Sequence, residues 1–233
     1  MNILPINKII LASFAFALSH WKKILEISII PLVVSAPFLW TLPDLFLLMD
    51  QFMAGNKIIS IQLPEYLFTY LVLFMYGYSM LSINIYKLVV LGGDSVNGFV
   101  PIIDARMIIR FVGLTILIGL VTIFPVMFTG IFFLQLVVYF FIVPITLNFV
   151  SIAINVPIKF TWRLPFKTHA NLFFLQAMLP AIIGIIFAII ADYIGLGEAL
   201  NWVVKVVIYY WSSVNLALCY QLINNNISNN KYN

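Results

Sequence analysis

Charge is what this sequence has least of. Only 9% of its 233 residues are Asp, Glu, Lys or Arg, whereas 64% are hydrophobic, and the mean hydropathy is +1.10. Soluble domains carry about 25% charged residues. A water-soluble fold needs a polar exterior, and there is too little polar side chain here to build one. A bilayer removes that need, because the exterior is then hydrocarbon. Cysteine is nearly absent as well. The lone Cys219 excludes an internal disulfide or a Cys-based metal cluster, and within its apolar run it reads as a small packing residue.

Catalytic signatures are also missing. The chain has no Gly-x-Ser-x-Gly, His-Glu-x-x-His, P-loop or Gly-x-Gly-x-x-Gly. Gly92-Gly93-Asp94-Ser95 reads as a loop, since no Lys follows as in a phosphate cradle. Asp94 and Asp104 stand ten residues apart with no third acid nearby, too little for a two-metal or two-carboxylate mechanism. The expectation is a non-enzyme without cofactor or metal. The net charge of +4 is spread along the chain and forms no basic stripe, so nucleic acid is not an expected partner.

What the sequence has in quantity is apolar runs. Six occur, at 24–47, 66–91, 107–129, 131–154, 172–191 and 199–221, each near the ~20 residues that cross a hydrocarbon core. Residues 111–154 contain no charge, too long a stretch for one span and right for two, with the break at Thr129-Gly130. The expected fold is an all-α polytopic membrane protein with six transmembrane helices over 24–221. Basic residues set its orientation. Lys8, Lys22, Lys23, Lys87, Arg106, Arg110, Lys159, Arg163, Lys167 and Lys231 fall on one side, and only Lys57 and Lys205 on the other. The acids Asp44, Asp50, Glu65, Asp192 and Glu198 fall opposite, though acids orient little. Both termini are expected in the cytoplasm and the protein in a bacterial inner membrane.

Between the spans lie amphipathic segments. Lys8, Ala12, Ala15, Ser19, Lys22 and Glu26 make one small or polar stripe at helical spacing, and Leu11, Phe14, Leu18, Trp21 and Leu25 an apolar one. Residues 1–23 are therefore expected as a helix lying in the headgroup plane. Lys8 and the run Ile9 to Leu18 have the form of a signal peptide, but Ser19-His20-Trp21-Lys22-Lys23 makes a poor cleavage site, so the segment is read as retained. Residues 99–110 and 156–171 mix bulky apolar residues and charges in the same way. Together these suggest a threefold repeat of interfacial segment plus helical hairpin, with His20 eleven residues before Pro31 and His169 eleven before Pro180. The Asn-rich tail, 222–233, is expected to be disordered.

Candidate functional residues follow from this plan. Lys22, Lys23, Arg106, Arg110, Lys159, Arg163 and Lys167 are placed to meet lipid headgroups. Lys205, Gln176 and Asn215 are intramembrane polar groups, as are Asn84, Gln135, Asn148 and Gln221. The uncharged ones are read as interhelical hydrogen-bonders. Lys205 lies about 9 Å into the last span, within reach of the outer interface through its stem. Pro31, Pro37, Pro125, Pro144 and Pro180 should kink their helices or free carbonyls. His20 and His169, both at inner helix boundaries, could meet only if the first and fifth spans were neighbours, and two histidines alone make a poor metal site.

Ile85-Tyr86-Lys87-Leu88-Val89-Val90-Leu91-Gly92, with Arg106-Met107-Ile108-Ile109-Arg110-Phe111 after it, resembles uncharacterised multi-span inner-membrane proteins of alphaproteobacteria. Phe160-Thr161-Trp162-Arg163-Leu164 and Asn171 are similar to their later Trp-Arg-Leu loop. That group is loosely similar to the membrane domain attached to some glycerophosphodiester phosphodiesterases. The chain departs from it at Ile108, where an acid is common, and has no phosphodiesterase domain, so hydrolysis is not implied. The expected function is a non-enzymatic scaffold or accessory protein acting on lipid or a partner protein. The alternatives are a small carrier or channel, or a subunit of a larger membrane complex, with the bilayer and other membrane subunits or itself as partners.

Overall fold

The computed structural model describes residues 4–53, 65–97, 104–157, 164–195 and 197–229. Among these there is no strand. Eight helices follow one another: α1 (Ile6–Ser19), α2 (Trp21–Met53), α3 (Leu67–Leu91), α4 (Ala105–Thr129), α5 (Phe132–Ala153), α6 (Phe166–Phe173), α7 (Leu179–Ile194) and α8 (Gly197–Asn229). A π-helical turn, Phe174–Met178, joins α6 to α7. Six stretches are long and apolar enough to cross a bilayer, in α2, α3, α4, α5, α6–α7 and α8. The protein is an all-α polytopic membrane protein. Helices satisfy every backbone group internally, which hydrocarbon demands.

Local chemistry sets the boundaries. Asp104 caps α4, its carboxylate accepting from the Met107 N–H at 3.1 Å. The α4–α5 turn falls where the charge-free stretch breaks, at Gly130, whose φ of +67° suits a residue without Cβ. Asn155 ends α5 at φ +56°, with the Val156 N–H bonded back to the Ser151 carbonyl at 2.9 Å.

The spans pair as three antiparallel hairpins, α2/α3, α4/α5 and α7/α8. The second helix of each pair packs inward, so α3, α5 and α8 all touch one another and α2, α4 and α7 lie outside. The inner helices share a tetrapeptide: Ser82-Ile83-Asn84-Ile85, Thr146-Leu147-Asn148-Phe149 and Ser213-Val214-Asn215-Leu216, every residue of it buried. This hydroxyl-apolar-Asn-apolar pattern marks a threefold architecture better than the histidine spacing does. The inner three run in one direction, since Ser82 meets Tyr209 while Gln221 reaches the carbonyls of Val89 and Val90. They finish at the end where α2 and α4 start, called the basic end for Lys22, Lys23, Lys87, Arg106 and Arg110.

Two expectations need correction. Residues 1–23 were expected as a surface helix, and α1 does form, broken from α2 at His20. Yet both of its stripes are exposed, and a third face, Ile9 and Ser13, packs against the body. Ser13 meets Trp211, nine residues past the start of the Trp202–Asn225 span, so α1 reaches mid-height on α8 and is not confined to the basic end. The serine hydroxyl is matched to an indole on another helix, which no periodicity in α1 can reveal. Second, residues 222–229 are helical. Ile223 is buried against the core, and a helix already formed extends at little cost, so the polar tail continues α8. Residues 230–233 lie outside the described set. The first span falls at Trp21–Leu45, as expected, and α2 continues beyond it to Met53 through Pro31, Pro37 and Pro43, since each proline removes one bond without ending the helix.

Candidate functional site

The inner bundle is assembled around three consecutive aromatic residues of α8. Successive helical side chains project about 100° apart, so Tyr209, Tyr210 and Trp211 reach three different helices. The Tyr210 hydroxyl donates to Ser28 of α2 at 2.6 Å, and the Trp211 indole donates to Ser13 of α1 at 2.7 Å. Tyr209 pairs with Ser82 of α3 at 2.6 Å. Each serine donates its own proton to a carbonyl of its own helix, at Ile24, Ile10 and Tyr78 respectively. The aromatic group is therefore the donor in all three pairs, and no proton is contested.

Above this hub the inner helices enclose a cavity of about 200 Å³. Its rim holds one tyrosine from each inner helix, Tyr78, Tyr139 and Tyr209, all half-buried. Seven or eight residues further along the same helices, Tyr86, Thr146 and Leu216 form its buried floor. Because α3, α5 and α8 run in parallel, the mouth faces away from the basic end. Gln176 closes one side, with a long 3.4 Å contact from its amide to the Ser212 carbonyl. No charged side chain lines the cavity.

The π-turn delivers Gln176. Pro180 has no N–H to give its preceding turn, and the Leu179 N–H bonds instead to the Phe174 carbonyl five residues back. One extra residue per turn shifts the side-chain phase, which is how such turns re-aim a residue. Polar groups near the cavity are left without partners among the described residues: the Ser212 hydroxyl, the amide nitrogens of Asn84 and Asn148, and both amide ends of Asn215. Buried polar atoms are nearly always hydrogen-bonded, so four such residues in three neighbouring helices stand out.

His169 has a separate task. Pro144 cannot donate to the carbonyl four residues earlier, that of Phe140, and the His169 Nε2–H fills the vacancy. Phe166, His169 and Phe173, on one face of α6, all pack on the Phe140 ring of α5. His169 lies in the first turn of α6, three residues into the fifth span, a helix boundary as the sequence suggested, and from there it meets Phe140, seven residues inside the Phe133–Ala153 span. We expect His169→Phe to lower stability by about 1–3 kcal/mol, the cost of an unpaired buried carbonyl, read as a drop in thermal midpoint in detergent. Adding Pro144→Ala restores an intrahelical N–H, and the same His169→Phe change should then cost little. Equal losses in both backgrounds would show that the bond does not matter.

The remaining candidates are dispersed. Lys22 lies over the Trp21 ring at 5.7 Å, and Lys23 pairs with Glu26 at 3.0 Å. Arg106 and Arg110 are exposed beside Asp104 and Asn155 at the basic end, and Lys167 is exposed on α6. Lys159 and Arg163 lie outside the described residues. Lys205 is exposed, its ammonium 4.9 Å from the centre of the Trp202 ring, one turn nearer the far end. Of the intramembrane polar set, Gln176 lines the cavity and Asn215 is fully buried in the inner bundle. The histidines are engaged separately, His20 stacking on Phe16 at 4.3 Å. No group of three metal-ligating side chains occurs among the described residues. The tyrosine rim was not anticipated, although the thrice-repeated tetrapeptide would have pointed to these three helices. No family model matches this chain, and neither a curated protein nor a solved structure is significantly similar to it.

Proposed function

We infer that this protein is a non-enzymatic membrane scaffold or accessory protein that acts by holding lipid. The observation that carries the reading is the shape of the inner bundle. Burial on α3 begins at Gly77, on α5 at Ile142, and on α8 is continuous only from Ser213. Before those points Leu136 and Val206, one turn from Tyr139 and Tyr209 on the same face, are exposed. An exposed apolar surface beside a cavity with a polar lining suits a lipid, whose chain meets the surface while its head reaches the cavity. Extraction in mild detergent followed by mass spectrometry should find about one retained lipid per chain. A stable, lipid-free monomer would count against the reading.

Two further points belong to it. The fifth span buries few of its residues, which leaves a face for a partner helix, and a co-purifying membrane protein would support an accessory role. The distribution of basic residues supports a bacterial inner membrane with both termini cytoplasmic. A cysteine placed at the exposed Ser95 should resist an impermeant maleimide in intact cells, and labelling there would reverse the orientation.

A second reading, a small carrier, is favoured by the polar column down the inner helices. Tyrosines, then Ser82, Thr146 and Ser213, then the three asparagines follow one another toward the basic end. Flux of a neutral solute such as glycerol into proteoliposomes would put that reading first.

A further inference from the structure

We propose that the tyrosine-rimmed crevice is the binding site for the uncharged, oxygen-bearing head of a neutral lipid, which enters head first with its chain along the exposed apolar face beside Tyr139 and Tyr209. This deepens the lipid-holding reading above and rests on it. The lining decides the charge of the ligand. Phenol, hydroxyl and carboxamide groups surround the cavity, and no cation or anion is there to neutralise a phosphate, a carboxylate or an ammonium. An ionised head brought into a low-dielectric cleft without a counter-charge is strongly disfavoured.

The hydrogen-bonding inventory decides what the head carries. The Ser212 hydroxyl is buried and unpartnered, and Gln176 makes only one long contact through its nitrogen. Tyr139 brings a third polar group from the opposite helix. A head with two or more hydroxyl or carbonyl oxygens can satisfy such donors and acceptors, and a hydrocarbon cannot. The walls decide that the head bears a chain. Tyr139 and Tyr209 lie six and seven residues inside their spans, and one turn toward the far end Leu136 and Val206 are exposed on the same face, which a fully polar solute would leave unmatched. A diacylglycerol and a prenylated quinone share this chemistry, an uncharged di-oxygen head on a long apolar chain.

The test is equilibrium binding of radiolabelled dioleoylglycerol to the full chain in phosphatidylcholine nanodiscs, with unlabelled competitors. Saturable binding near one per chain is expected, displaced by dioleoylglycerol or by decylubiquinone, and not by oleate or phosphatidic acid at the same concentration. The stronger displacer identifies the source of the head. Gln176→Leu should weaken binding at least tenfold. Tyr139→Phe, which removes a single hydroxyl and keeps the ring, should weaken it several-fold with an unchanged thermal midpoint. Binding unaltered in both variants, or equal displacement by the charged lipids, would overturn the proposal. If charged phospholipid is retained on extraction while neither neutral competitor binds, this inference fails and the scaffold reading stands. If nothing is retained and nothing binds, both fail.

Discussion

Gly77→Val should separate the first hairpin and lower the thermal midpoint of the purified protein more than any other single glycine substitution among the described residues. A Cβ at position 77 would lie 2.7 Å from the Pro31 carbonyl oxygen and would overlap the Ser35 hydroxyl. The carbonyl belongs to the backbone of α2 and cannot swing aside, so the two helices must part. Overpacking of this kind costs about 1–3 kcal/mol, and the second branch of valine puts the expectation at the upper end. Small residues that let helix backbones approach are a recurrent source of membrane helix packing. Gly77→Ala should show the same effect in smaller measure. Gly113→Ala and Gly119→Ala, where an added Cβ meets nothing within 4 Å, should be neutral or slightly stabilising through helix propensity. Equal behaviour of positions 77 and 113 would show that the close approach has no energetic consequence.

Trp211→Ala should release α1 while leaving the three hairpins assembled. The indole donates to Ser13 and stacks on Phe14 at 5.5 Å, and α1 packs chiefly on α8 with few contacts to α2. Removing a buried aromatic side chain costs about 3–5 kcal/mol, and here it takes away the group that Ser13 and Phe14 of this 14-residue helix both engage. Hydrogen exchange should rise across residues 6–19 and stay unchanged across 79–89 and 142–153. Trp211→Phe keeps the stack and removes one bond, and should cost about 1 kcal/mol. Uniform loss of protection in all helices would mean that Trp211 supports the whole bundle and is not specific to α1.

Much of the architecture was legible along the chain because spanning is a one-dimensional property. A segment that crosses hydrocarbon must be helical and apolar over about 20 residues whatever its neighbours are. The charge-free stretch 111–154 therefore had to contain a break, and Gly130 was its cheapest place. The tail was misread for a related reason. Polar composition describes how a segment behaves alone, whereas 222–229 extends a helix already anchored by Ile223.

Which helix faces which was not legible, and the site depends on it. In a soluble helix the buried side is the apolar side, but in a membrane both sides are apolar and the usual pattern vanishes. Helix α5 has apolar residues on every side, yet its burial runs without interruption from Ile142 to Ala153 and stops at Phe141. His169 illustrates the consequence. Its position at a helix boundary was legible, whereas its role is set by a carbonyl that Pro144 frees on another helix. Tyr209, Tyr210 and Trp211 likewise find Ser82, Ser28 and Ser13 only once four helices are in place.

The amino-acid sequence by itself determined that this protein is helical and spans a membrane six times, because hydrocarbon imposes the same demand on each segment separately. Only the tertiary structure decided that α3, α5 and α8 form the inner bundle with an uncharged tyrosine rim. Lipid tails and apolar side chains are equivalent solvents for a helix face, so specific polar pairs and close approaches, properties of two helices at once, choose the neighbours.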